Sequence, residues 1–167
     1  TWTHAYAADV STANYVRAFD VSGAGDAATG VTFNATGDRM YVAEFQSAEI
    51  YEYSLTTPWD VSSANFAHSF SVGTEDSEPQ DVVFGDSGTR MYVVGGANAS
   101  IYEYTLATPW DISTASYVQA RSVSARDTTP AGLSFRNSGT QMYVMGYQNA
   151  EVFEYALATP WDISSAS

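Results

Sequence analysis

The chain has no cysteine and no lysine, and none of its apolar runs approaches the length of a membrane span. Without thiols there is neither a disulfide framework nor a thiolate metal site, and the redox compartment stays open. Without a run of roughly 18 apolar residues, a membrane-spanning helix is not expected. Positive charge is scarce too: six basic residues, all Arg, stand against 19 Asp and Glu, a formal net charge of −13. Such a surface repels phosphate backbones and anionic lipid, so nucleic acid and membrane surfaces are not expected partners. It also stays soluble in salt, which suits a saline extracellular setting. The chain begins at Thr1 without an initiator Met or an apolar leader, as a processed secreted protein or an excised fragment would. Histidine is limited to His4 and His68. No nucleophile, base and orienting group form a set, and no glycine loop suits a phosphate, so an enzyme is not expected.

What the chain has in abundance is repetition. Thr57-Pro58-Trp59-Asp60 returns as Thr108-Pro109-Trp110-Asp111 and Thr159-Pro160-Trp161-Asp162, a period of 51 residues. Met40-Tyr41-Val42 returns at the same period as Met91-Tyr92-Val93 and Met142-Tyr143-Val144, and Tyr51-Glu52-Tyr53 as Tyr102-Glu103-Tyr104 and Phe153-Glu154-Tyr155. A gapless period of this length means one supersecondary unit used three times, in a single array without an internal linker.

Within a unit, short runs of Val, Ile, Tyr, Phe and Met alternate with Gly, Asp, Asn, Ser and Pro clusters, the pattern of strands and turns. The first unit predicts strand a at Gly30–Phe33, b at Arg39–Glu44, c at Glu49–Leu55 and d at Phe66–Val72. Four short antiparallel strands per unit of this size predict an all-β fold built of β-propeller blades. A β-helix needs a shorter period, and a sandwich has no reason to repeat so strictly. Gly30-Val31-Thr32-Phe33, Gly37-Asp38-Arg39-Met40-Tyr41-Val42 and Ile50-Tyr51-Glu52-Tyr53 resemble the YVTN type of propeller repeat of bacterial and archaeal surface proteins. The segment holding Trp59 and Asp60 lies outside that pattern and marks a subfamily.

The two ends are complementary. Residues 15–21 align with strand d of the later units, and residues 15–167 make three whole periods, while residues 1–14 form a degenerate segment with Ala7 and Ala8 where Pro58 and Trp59 stand. The chain is therefore expected to hold three four-stranded blades, with residues 15–21 completing the C-terminal blade. Three blades fall short of the four to eight of a closed ring. A homodimer closing a six-bladed ring by strand exchange is the expected assembly, with a longer parent array as the alternative.

Trp59, Trp110 and Trp161 each precede an Asp, a pairing that suits sugar-binding surfaces. They read better as structural plugs, with Asp60, Asp111 and Asp162 in Asx-type turns. Glu52, Glu103 and Glu154 lie within strand c, where a charge needs a partner; Arg39 and Arg90 supply one, and the third copy has Gln141. The b–c and d–a loops are expected on one face and differ between copies, whereas the a–b and c–d loops on the other face hardly vary. A ligand such as a glycan or a surface protein is expected on the variable face, with Phe45, Gln46, Asn98, Tyr147, Gln148 and Asn149 as candidates. The carboxylates Glu75, Asp76 and Glu78 are a candidate Ca²⁺ site; no other cofactor is implied. The expected role is a non-enzymatic recognition or structural assembly module, secreted or on a particle surface. The alternatives are a lectin using the variable face and a hydrolase or lactonase. The resemblance implies an axial metal for the last, although Asp81 is the lone acidic residue that strand a contributes.

Overall fold

The computed structural model describes Ser11 and residues 13–167. The readings made for His4 and for most of the 1–14 segment lie outside the described residues. Each repeat folds as an antiparallel meander because its apolar runs are strand-length and separated by turn formers. The first sheet has the order β1 (Ala28–Phe33), β2 (Arg39–Glu44), β3 (Glu49–Leu55), β4 (Ala64–Ser71). The second repeats it with β5 (Pro79–Gly85), β6 (Arg90–Gly95), β7 (Ser100–Leu106) and β8 (Ala115–Ser122). The third has β9 (Pro130–Arg136), β10 (Gln141–Gly146) and β11 (Glu151–Ala156), followed by a single bridge between Leu157 and Ala166.

Strands b and c of the first repeat fall on the expected residues. Strand d begins earlier, at Ala64, because a 3₁₀ turn over Val61–Ser63, capped by Asp60, delivers the chain straight into it. Strand a also begins earlier, at Ala28, ahead of an irregularity between Ala28 and Gly30.

The sheets stack face to face with β1, β5 and β9 side by side. Tyr41, Ala43 and Ile50 of the first pack with Val82, Met91 and Ile112 of the second. Tyr92, Val94 and Ile101 of the second pack with Leu133, Met142 and Ile163 of the third. Burying an aliphatic side chain of this size contributes about 1.5–3 kcal/mol, so these apolar strips hold blade to blade. The architecture is three blades of a β-propeller.

Polar staples fix the stacking register. The Tyr41 hydroxyl donates to the Trp110 carbonyl at 2.5 Å, and Tyr92 to Trp161 at the same distance. Buried Glu52 pairs with Arg39 and accepts the Ile112 N–H at 3.1 Å. Glu103 pairs with Arg90 and accepts the Ile163 N–H at 3.4 Å. Burial pushes the Glu52 carboxyl above its usual range, against the Ile112 N–H and the Arg39 charge. These contacts satisfy carboxylates that would otherwise be costly inside a β-sheet.

Candidate functional site

The a–b turns vary more than expected, with 3₁₀ turns and positive φ over Asp86–Gly88 and Asn137–Gly139 that the first repeat lacks at Ala35 and Thr36. On the same face, however, each Trp adopts the left-handed backbone region, with φ of 64°, 67° and 66° at Trp59, Trp110 and Trp161. A bulky residue there is strained, and the fold compensates in the same way three times. The Trp N–H bonds the carbonyl of Gly37, Gly88 or Gly139, and the ring covers that glycine so closely that a Cβ would lie within it. The ring also packs on Phe33, Phe84 or Phe135 at centroid distances of 5.5, 5.2 and 5.4 Å. Trp110 and Trp161 are half-buried and Trp59 is 60% exposed, so the Trp rings are lids over glycine rather than plugs. Asp60, Asp111 and Asp162 accept from Ser62, Ser113 and Ser164 N–H groups at 2.9–3.0 Å.

The opposite face is held by carboxylates from different places in different blades. Asp76 is buried and accepts N–H bonds from Glu78, Ala97 and Asn98 at 2.9, 3.1 and 3.0 Å, and the Tyr102 hydroxyl at 3.2 Å. Asp127 takes the same position in the third blade, accepting from Thr129 and Asn149 N–H at 2.7 and 2.8 Å. Burial opposes its ionisation, yet these N–H donors hold its carboxyl below the usual range. In the first blade Gly25 stands at that repeat position, and Glu44 of β2 fills the space, accepting from Ala27 and Ser47 N–H at 3.0 and 2.5 Å. Where Glu44 stands, the other blades have Gly95 and Gly146, whose absent Cβ makes room for Asp76 and Asp127.

Asp76 thus spends its oxygens on loop N–H groups, while Glu75 accepts from the Tyr104 hydroxyl at 3.3 Å. Among the described residues no three His, Cys, Asp or Glu side chains, Glu75, Asp76 and Glu78 included, are grouped to hold a metal ion. Asn98 and Asn149 are loop struts, bonding the carbonyls of Glu75 and Arg126 through their side chains at 3.0 and 2.5 Å. Thr128 donates to Gln148. Phe45 and Gln46 lie on the first blade, away from the cleft described next.

Between the second and third blades this face opens a cleft of about 220 Å³, lined by Glu78, Gln80, Gly96, Thr129, Ala131 and Tyr147. It exists because Gly96 occupies the repeat position that Phe45 and Tyr147 hold in the other blades. Beside it in sequence, an irregularity between Pro79 and Asp81 re-aims the start of the innermost strand β5. Asp81 is only partly buried; its Oδ1 accepts from Val82 N–H at 2.9 Å and its Oδ2 from Leu133 N–H of the next blade at 3.0 Å. The equivalent residues of the flanking inner strands are Gly30 and Gly132, and a Cβ at Gly30 would lie 2.8 Å from Asp81 Oδ1. Burial pushes the Asp81 carboxyl above its usual range, against the two N–H donors. One carboxylate with spare lone pairs therefore sits among the converging inner strands, flanked by residues without side chains.

Neither models of protein families nor curated proteins match the sequence. Solved structures match the fold. A protein assigned as a 6-phosphogluconolactonase from Bacteroides uniformis aligns with TM-score 0.60 at 12% identity over 78% of this chain and 37% of its own. The periplasmic gluconolactonase of Pseudomonas aeruginosa aligns with TM-score 0.57 at 16% identity over 82% and 36%. The β-propeller domain of a Myceliophteria thermophila protein aligns with TM-score 0.56 at 13% identity over 84% and 41%. This is a β-propeller fold. The chain spans well under half the length of these propellers.

The expectation of a non-enzymatic module is corrected by these likenesses, which include proteins named as lactonases. It had rested on the missing triad and the missing ring of axial carboxylates.

Proposed function

We propose that this chain forms three blades of a propeller hydrolase of the lactonase type, with Asp81 as its general base. The observation that carries the reading is the placement of Asp81: a carboxyl raised by burial, on the innermost strand, between glycines at the equivalent positions of both neighbours. Two fold neighbours named as lactonases direct the choice of substrate to cyclic sugar esters. In this chemistry the Asp81 carboxylate takes a proton from water as the water oxygen bonds to the ester carbonyl carbon. The ring C–O bond then breaks, and the proton passes to the departing alkoxide. A base works best when its pKa lies nearer the working pH than an ordinary carboxyl's does. The finer assignment to YVTN-type repeats and an extracellular or periplasmic setting belong to the same reading, supported by the repeat motif and the acidic, lysine-free surface.

The test is hydrolysis of gluconolactone by the full chain, followed by pH-stat. The expected rate rises with pH as Asp81 ionises, and Asp81→Asn lowers it by roughly 10²–10⁴-fold, with unchanged β-sheet circular dichroism. No hydrolysis above the buffer rate, or an undiminished Asp81→Asn variant, would overturn the assignment.

A further inference from the structure

The two internal blade junctions use the same parts, and the two outer faces of the array carry the corresponding parts with no blade among the described residues packed against them. At each junction the earlier blade presents a strip of Tyr, a small or branched residue, Ile and Glu. In the first blade these are Tyr41, Ala43, Ile50 and Glu52; in the second, Tyr92, Val94, Ile101 and Glu103; all eight are buried. The third blade has Tyr143, Met145, Val152 and Glu154 at the equivalent positions, where Met145 is 45% and Val152 60% exposed. Tyr143 there donates to Glu154 at 3.2 Å instead of crossing to a neighbouring blade.

The later blade of each junction offers an inner-strand aliphatic (Val82 or Leu133), a Trp carbonyl and an Ile N–H. On the first blade the equivalents are Val31, 60% exposed, with Trp59 and Val61.

A second set of contacts comes from residues 15–21. Phe70 of β4 meets Tyr104 of the next blade edge-on at 5.5 Å, and Phe19 meets Tyr53 in the same geometry at 5.4 Å. Gln119 of β8 bonds Asp162 of the next blade at 2.8 Å, and Arg17 pairs with Asp60. Residues 15–21 thus stand against the first blade as β4 stands against the second, in the place of an outer strand. Between them and β1 runs an apolar groove of about 380 Å³, lined by Phe19, Val21, Gly30, Val31, Met40 and Val61. β11 meanwhile bonds Ser167 only at its last residue, Ala156, and among the described residues the edge over residues 151–155 has no strand beyond its pairing with β10.

We propose that a second copy of this chain occupies that groove, its third blade sliding between residues 15–21 and β1. Tyr143 then donates to the Trp59 carbonyl of the other copy, Glu154 accepts the Val61 N–H, and Met145 and Val152 cover Val31. Residues 15–21 pair along the free edge of β11 as its fourth strand. The same junction forms twice about a twofold axis, and six blades close without an open sheet edge. The occupant is a copy of this chain because the groove and the third blade present, position for position, the donors, acceptors and apolar side chains that meet at the two internal junctions.

The test is the mass of the full chain by light scattering during size exclusion. The expected mass is twice 18.0 kDa. Val152→Lys, which changes a residue exposed in the single chain, is expected to return it to 18.0 kDa with its β-sheet spectrum intact. Val118→Lys, on the exposed outer strand β8, is expected to leave the dimer unchanged. A wild-type chain that runs as a monomer, or as an open series of larger masses, would overturn the proposal, as would a Val152→Lys chain that is folded and still dimeric. Lactone hydrolysis is read separately, so a dimer without activity would leave this interface standing and remove the proposed function.

Discussion

The two faces of the array solve the same problem, fixing loops at the ends of strands, by different rules. On one face three Trp residues with positive φ each cover a glycine, and the residues are repeated without change. On the other a carboxylate binds loop N–H groups, and it comes from the d–a loop in two blades and from β2 in the first. The difference lies in what each lock demands. A ring lying on a glycine requires a special backbone at the Trp, no side chain at the glycine and an aromatic beneath, so few substitutions survive. A carboxylate serving N–H donors must only reach one point, and either side of the space will do provided the other side is glycine. The Trp–glycine lock is therefore constrained by backbone geometry and the carboxylate lock by hydrogen-bond supply.

Breaking the invariant lock is expected to have the largest effect. Gly88 has φ +85° and lies beneath the Trp110 ring. Gly88→Ala meets both an unfavourable left-handed backbone and a ring that must shift, together about 3 kcal/mol. The urea midpoint should fall accordingly, with unchanged slope. A loss below about 0.5 kcal/mol would show that the ring moves freely and that the repetition has another cause.

Much of this was legible in the sequence, and the residues explain which part. The period, the strand types and the bounds of β2 and β3 follow from alternating apolar runs, which report strand pairing directly. The cross-blade staples did not: nothing local to Tyr41 or Tyr92 says that a hydroxyl will reach a carbonyl in the next repeat. Asp76 read as a candidate Ca²⁺ ligand because it lies between Glu75 and Glu78. A signal for its actual role was present in the alternation of Gly25 with Asp76 and Asp127, set against Glu44 with Gly95 and Gly146. Two positions that exchange glycine for carboxylate in opposite senses share one space. Asp81 stood out as the lone acidic residue among the aligned inner-strand positions, but its contact with Leu133 N–H crosses a blade boundary that the sequence does not reveal.

The exchange on the variable face can be tested by making it. Asp76→Gly leaves the N–H groups of Glu78, Ala97 and Asn98 and the Tyr102 hydroxyl without their acceptor, a loss of about 2 kcal/mol. Gly95→Glu alone drives a side chain into the Asp76 carboxylate. The double variant rebuilds the arrangement of the first blade, and a double-mutant cycle on urea midpoints is expected to return a favourable coupling of at least about 1 kcal/mol. Additive losses would mean that the two carboxylate positions are not interchangeable, and that the first blade differs for a reason beyond the lock.

The smallest effect is expected at the cleft. Tyr147 is 78% exposed, and neither its ring nor its hydroxyl has a partner in a lock. Tyr147→Ala should change stability by no more than about 0.5 kcal/mol, the range of surface substitutions remote from caps and cores. Its neighbours Asn149 and Gly146 do hold the Asp127 lock, so a larger loss would mean that the ring shields those bonds from water. The same variant separates fold from function on this face. Asp81 does not line the cleft; if a cyclic ester held at Asp81 extends past Gln80 into it, Tyr147→Ala raises KM for gluconolactone and leaves kcat nearly unchanged, because the ring can contact substrate without touching the reacting carbonyl. An unchanged KM would confine the substrate to the space between the inner strands where Asp81 lies, with no contact in the cleft.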